Sequence, residues 1–295
     1  MKLGTRFPQG LIGLDIGAVR DYVQGLEDLG FDYITVSDHV LLPDIPVDQR
    51  GNLPGAGYTL DSAMREPFVL LAYIAGIAQK LELVTSIIIL PQRQTVLVAK
   101  QAAELDAMSG GRLRLGVGLG RIEMEYEALG QDFHTRGKRM EEQVELLRQL
   151  WTQKSVTFKG RWDTVTSAGL NPPPVQRPIP IWMGGGVGRG GIVAPALKRV
   201  ARVADGWCPL PAADRDMMNE ARERLKGYLK EAGRDAANFS VEMRTTTRGG
   251  PEAWANDYES EKSMGTDYFT VVPGGVKPGV GPHLEALRSF KEAVD

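Results

Sequence analysis

Short runs of apolar, often β-branched residues alternate along the chain with longer segments whose apolar residues recur every three or four positions. The first pattern predicts strands and the second helices packed by one face. Residues 2–7 read as a strand, 15–29 as a helix closed by Gly30, and 33–37 as a second strand. A Pro/Gly-rich segment, 41–66, has little periodicity and reads as an insertion. Helix 67–79, strand 81–89, helix 95–108 and strand 113–118 follow, then a long loop over 119–137 and a strong helix over 138–152. The β-rich stretch 155–170 interrupts the alternation and predicts an inserted hairpin. After the proline cluster "NPPPVQRPIP" come strand 180–183, helix 193–204, strand 206–209, helix 214–232, strand 239–246, helix 251–264, strand 267–272 and helix 282–294.

Alternation of this kind predicts an α/β fold with a parallel sheet covered by helices. About eight such units suit a closed (β/α)8 TIM barrel, which takes about 250 residues before insertions. The insertions follow strands two and four, and the hairpin precedes strand five. A single domain is expected over 1–295. In such a barrel the working residues gather at the C-terminal ends of the strands. Four of those ends are unusual here: Asp38-His39, Thr85-Ser86, Gly116–Gly120 and Met183–Gly186.

Composition narrows the function classes. Thirty-five Lys and Arg against 37 Asp and Glu leave a net charge of −2, which favours no nucleic acid. The single cysteine, Cys208, excludes an internal disulfide and a multi-cysteine metal site and fits a reducing cytoplasm. The N-terminus lacks the apolar run of a signal peptide, and apolar runs such as "IIIL" at 87–90 are too short for a membrane. A cytoplasmic enzyme or binding protein with a small-molecule partner is the expectation, and a homodimer is the expected assembly.

His39 is one of three histidines, with His134 and His283. At a strand end it suits proton transfer, because its charge changes near neutral pH. Asp38 would set its tautomer or the local backbone. No HxH or HExxH spacing accompanies them, so no metal site is expected. Thr85 and Ser86 interrupt an apolar strand just before its end, and their hydroxyls need partners. Gly116, Gly118 and Gly120 leave one strand face bare, which suits either a flat ring lying on the backbone or a tight barrel interior. In "IPIWMGGGVGRGG" a strand runs into glycines ahead of a helix, a setting for anion binding. Gly186, Gly188 and Gly191 match GxGxxG, yet the position after four units argues against a dinucleotide fold. Arg136, Lys138 and Arg139 open the helix "RGKRMEEQVELLRQLW", where they would pair with Glu141 and Glu142 or meet an anion.

In order, "VSDHV", "LVTSIIILPQRQTVLVAKQAAELDAMSGGRLRLGVGLG", "EYEALG", "PPPVQRPIPIWMGGG" and "RVARVADGW" resemble the bacterial luciferase-like monooxygenase superfamily over nearly the whole chain. The resemblance is closest to the branch that uses the deazaflavin coenzyme F-420. It implies the barrel, with the coenzyme ring at its C-terminal mouth. Asp38 and His39 would be the catalytic pair beside the ring. Thr85, Ser86 and Ile87 would lie in a bulge with a non-prolyl cis peptide at Ser86–Ile87. Gly118, Leu119 and Gly120, with Met183, Gly184, Gly185 and Gly186, would complete the coenzyme site. Sugar-phosphate dehydrogenases of the family carry a glutamate right after the fourth-strand glycines. Arg121 stands there in this chain, which speaks against that substrate and that proton donor. The expected activity is hydride transfer between the deazaflavin and a small organic substrate. The rivals are an FMN-dependent monooxygenase and a barrel that binds a flavin or deazaflavin without turnover. Leu41, Leu42, Pro43 and Tyr58 suggest a partly apolar lid.

Overall fold

A computed structural model describes residues 1–12, 14–44, 59–188, 190–210 and 215–295. The elements in chain order are β1 (Lys2–Arg6), α1 (Ile16–Asp28), β2 (Tyr33–Val36), α2 (Pro67–Ile77), β3 (Glu82–Ile89), α3 (Thr95–Met108), β4 (Leu113–Gly118), α4 (Glu123–Ala128) and α5 (Arg136–Thr152). The remainder are β5 (Val156–Lys159), β6 (Thr164–Ala168), β7 (Ile181–Met183), β8 (Val187–Gly188), β9 (Gly191–Ile192), α6 (Ala194–Val203), β10 (Gly206–Trp207), α7 (Arg215–Glu231), β11 (Ser240–Thr246), α8 (Pro251–Ser263), β12 (Tyr268–Val272) and α9 (Val280–Val294).

Eight strands close a parallel barrel in the order β1-β12-β11-β10-β7-β4-β3-β2. Strands covered on both faces need apolar runs rather than strict alternation, and β2 and β4 are buried at every position. Helices enter through local caps. The Asp15 carboxylate accepts from the Gly17 N–H at 3.0 Å, and Glu66 accepts from Val69 at 2.8 Å ahead of Pro67 in the first turn of α2.

Three local readings change. The segment 119–137 is no simple loop, since α4 and a further helical turn over 133–135 lie within it. Six residues are too few for the helical period to show. The glycine-rich run after β7 folds into a small antiparallel hairpin, Val187 opposite Ile192, before α6 begins. The cations at the head of α5 do not pair with Glu141 and Glu142. Arg136 lies over the Phe133 ring, and Arg139 donates to the Arg93 carbonyl. Glu141 serves Arg199 and Arg202, while Glu142 accepts the backbone N–H groups of Arg161, Trp162 and Asp163 in the β5–β6 hairpin. Residues 45–58, including Tyr58, lie outside the described residues. No helix among the described residues is long and apolar enough to cross a membrane.

The lower part of the barrel interior is filled. Arg114 donates to Glu242 at 3.0 Å, and its guanidinium lies 4.1 Å from the ring centres of both Trp182 and Tyr268. Thr270 donates to Glu242 at 3.0 Å and meets the Tyr33 hydroxyl at 2.8 Å. Glycines make room for these rings. A Cβ at Gly4 would fall 2.3 Å from the Tyr33 ring, and one at Gly206 2.4 Å from Trp182.

Candidate active site

Above that packed layer the barrel opens into a pocket of about 310 Å³. It is lined by Asp38, His39, Ser86, Ile87, Gly118, Leu119, Gly120, Met183, Gly184 and Gly185 among others. Ten of the twelve residues singled out in the sequence therefore converge there from four strand ends, and two do not line it. Thr85 is fully buried and donates its hydroxyl to the Gly116 carbonyl at 2.8 Å. Gly186 turns away beneath α6, where a Cβ would meet Leu197 at 2.4 Å. A roomier hollow of about 420 Å³ lies outside the barrel against α7, near Leu225 and Phe239, away from the mouth.

The β3 end makes one wall. The register between β3 and β4 slips between Thr85 and Ile88, and the Ser86–Ile87 peptide is cis, as the resemblance implies. A bulge of this kind re-aims side chains. The β4 glycines are explained by it. A Cβ on Gly116 would lie 2.1 Å from the Thr85 carbonyl oxygen, and one on Gly118 2.7 Å from the Ile87 side chain. Between the two meanings left open for the bare face, tight packing accounts for Gly116 and Gly118. They admit the bulge, and Ile87 forms the surface.

Asp38 and His39 part company. The Asp38 carboxylate accepts from the Ile89 N–H at 2.9 Å and from Arg93 Nη2 at 2.8 Å. It braces the end of β3 and does not set the tautomer of His39. Burial pushes the Asp38 carboxyl above its ordinary range, although Arg93 pulls it back. The Cys208 thiol at the pocket edge is likewise pushed up to about 12 by burial.

His39 is held by a residue the sequence reading missed. Its Nδ1 lies 2.9 Å from Glu125 Oε2, and the side chain of Glu125 is 0% exposed against 10% for His39. A carboxylate only accepts, so Nδ1 carries the proton. The same carboxylate accepts from the Val40 N–H at 2.9 Å and from Leu41 at 3.3 Å. One buried acid in the first turn of α4 thus fixes the whole exit of β2, with the helix dipole in its favour. No local spacing marks it, for 86 residues separate it from His39.

Four arginines also line the pocket. Arg121 and Arg199 stand on the β4 and α6 side, Arg6 and Arg244 on β1 and β11. Arg199 donates Nε to Glu141 at 3.0 Å, and Arg244 donates to Ser86 Oγ.

The model of the family described as luciferase-like monooxygenase matches residues 3–258. The chain belongs to that family. An uncharacterized protein of Mycobacterium tuberculosis is 33% identical over 213 residues, 70% of each chain. An F420-dependent glucose-6-phosphate dehydrogenase of Amycolatopsis mediterranei is 29% identical over 75% of this chain and 60% of its own length. Among solved structures, an F420-dependent secondary alcohol dehydrogenase in complex with an F420-acetone adduct superposes with a TM-score of 0.80 at 18% identity, over 100% of this chain and 99% of the other. The monooxygenase RslO1 from Streptomyces bottropensis gives 0.74 at 17% identity, over 100% and 98%. At these identities the two structures show the shared fold.

Proposed function

We propose that the protein is a coenzyme F-420-dependent oxidoreductase that moves a hydride between the deazaflavin and a small organic substrate. The observation that carries the reading is His39: an imidazole with its tautomer fixed by a buried carboxylate, at the mouth of a pocket walled by Ile87 and glycines. The names of the sugar-phosphate and alcohol dehydrogenases among its likenesses support the choice of coenzyme.

The residues present fit such a group. Ile87, Leu119 and Met183 offer an apolar surface to a flat ring, and the backbone at Gly185 lies open beside it. Arg121 and Arg199 give the β4 side a positive potential suited to an acidic coenzyme tail. When bound, the deazaflavin supplies a carbon centre that accepts or gives a hydride and does not readily activate oxygen. The protein supplies position, dryness and a proton path. With Nδ1 held by Glu125, Nε2 is the atom through which His39 exchanges a proton with the substrate. In the oxidative direction a deazaflavin held there would accept the hydride of an alcohol carbon. The O–H pair becomes the second bond of the carbonyl, and its proton passes to His39. Reduction runs the same exchange backwards.

Titration of the protein with each coenzyme tests the reading. The deazaflavin should bind at least about tenfold more tightly than FMN, a difference of about 1.4 kcal/mol. Equal or tighter FMN binding turns the assignment to the FMN-dependent monooxygenase.

A further inference from the structure

One side of the pocket has no task in that proposal. Gly4 packs against the Tyr33 ring inside the barrel, so Arg6, two residues on, faces the same interior one layer nearer the mouth. On β11, Arg244 follows Glu242 by the same two residues and stands level with Thr270 of β12. Thr5 stands level with Val271, so Arg6 sits above Arg244 and across β12 from it. Both guanidinium-bearing residues line the pocket.

The charge there is unbalanced. Arg244 donates Nε to Glu242 at 3.2 Å and Nη2 to Ser86 Oγ. Glu242 is already engaged by Arg114 at 3.0 Å. Arg6 has no carboxylate partner among the described residues. Three guanidinium groups therefore face a single carboxylate on this side, and the Arg244 side chain is only 9% exposed. The one acid lining the pocket among the described residues, Asp38, is closed by Arg93. Arg6 stands exposed at the mouth with no acid beside it among the described residues, and the buried Arg244 shares its only carboxylate with Arg114, so an arriving anion meets net positive charge and displaces no acid.

We propose that Arg6 and Arg244 form a substrate-anchoring anion site and that the substrate is a small organic carboxylate. The inference rests on the oxidoreductase reading for what happens after binding. Arg121 and Arg199, on the opposite side, are left to the coenzyme tail. Glu242 and Ser86 occupy much of the Arg244 fork, so few N–H groups stay open. Two partly open guanidinium ends match the two in-plane oxygens of a carboxylate better than the three oxygens of a phosphate. Ile87 and Cys208 provide an apolar bed for the carbon skeleton, and His39 reaches the reacting end.

The test compares benzoate with its neutral isostere benzamide by ligand-observed NMR, on coenzyme-free and coenzyme-loaded protein. Benzoate should bind about tenfold or more tightly than benzamide in both states. Arg6→Gln and Arg244→Gln should each shrink that preference to within about twofold, and Arg244→Lys should retain part of it. Arg244 is tied to a buried acid and its neutral variant risks misfolding, so the exposed Arg6 carries the test by itself. Equal binding of the two probes overturns the proposal, as does a preference that survives Arg6→Gln. Benzoate displaced by the coenzyme would assign the arginines to the coenzyme, and tighter binding of inorganic phosphate than benzoate would assign them to a phosphate; either result overturns it. Coenzyme titration is a separate measurement, so its failure is distinguishable from failure of the anion site.

Discussion

The lower and upper halves of the barrel interior are built from the same strands and do opposite things. Below, Arg114, Glu242, Tyr33, Trp182 and Tyr268 fill the axis, and Gly4 and Gly206 exist to admit the rings. Above, Gly116 and Gly118 admit a bulge, and beyond it the space stays open. Glycine thus closes one layer and opens the next. What decides is the neighbour: an aromatic side chain fills the gap below, whereas above the gap is spent on the Thr85 carbonyl and Ile87. Charge follows the same division. The lower acid is fully engaged, while the upper layer keeps cations in excess.

The comparison breaks most visibly at its lower end. Arg114→Met should remove the main partner of a buried carboxylate and two close cation–π contacts. Breaking a buried pair by deleting one partner costs about 3–5 kcal/mol. The low end is expected, because Arg244 and Thr270 still hold Glu242. Denaturant unfolding measures the loss, and coenzyme affinity on the folded fraction should stay within about threefold. A variant as stable as the parent would mean that the lower layer is mere filling.

At the upper end, His39→Ala should cost less stability than Arg114→Met, since Glu125 keeps the Val40 and Leu41 N–H groups, and leave coenzyme affinity within a few-fold while lowering turnover by roughly 10²-fold, the scale of a lost acid–base group. That is about 2.7 kcal/mol in the barrier. Steady-state rates with a carboxylate-bearing alcohol or ketone measure it. Unchanged turnover would make His39 a bystander, and the two halves would differ only in packing.

How far the sequence discloses this division depends on the range of the signal. Helix 95–108 and strand 113–118 fall at the expected bounds, because helical period and apolar runs are local properties. The strand ends that form the pocket follow from barrel topology once eight units are counted. Pairing across the site does not follow. Asp38 and His39 are adjacent, and adjacency suggested that one orients the other. The backbone leaving β2 sends Asp38 toward β3 and His39 toward α4 instead. Glu125 sits among Glu123 and Glu127 in "EMEYEA", and nothing in that run shows which acid is buried. Arg6 was legible in principle, since a charge two residues after Gly4 at a strand's C-terminal end lies in the inward register.

Glu125→Gln gives the smallest of these effects and the finest discrimination. The amide keeps the size of the side chain and can still accept from the Val40 and Leu41 N–H groups, so the loop should hold. What changes is the partner of His39 Nδ1. The second carboxylate oxygen fixes the proton there; with the amide oxygen kept on the loop N–H groups, the NH2 takes its place and donates, which favours the tautomer protonated at Nε2. Turnover should fall about tenfold, near 1.4 kcal/mol in the barrier, with KM within about twofold. Nitrogen NMR of the imidazole should show a single Nδ1-protonated tautomer in the parent and a shift toward the Nε2-protonated one in the variant. A residue that only braced the loop would change stability and KM and leave the tautomer alone. If Glu125→Gln kept both the rate and the tautomer, the carboxylate would be a structural clamp on the β2 exit, and the upper half would owe its order to the same kind of bonds as the lower.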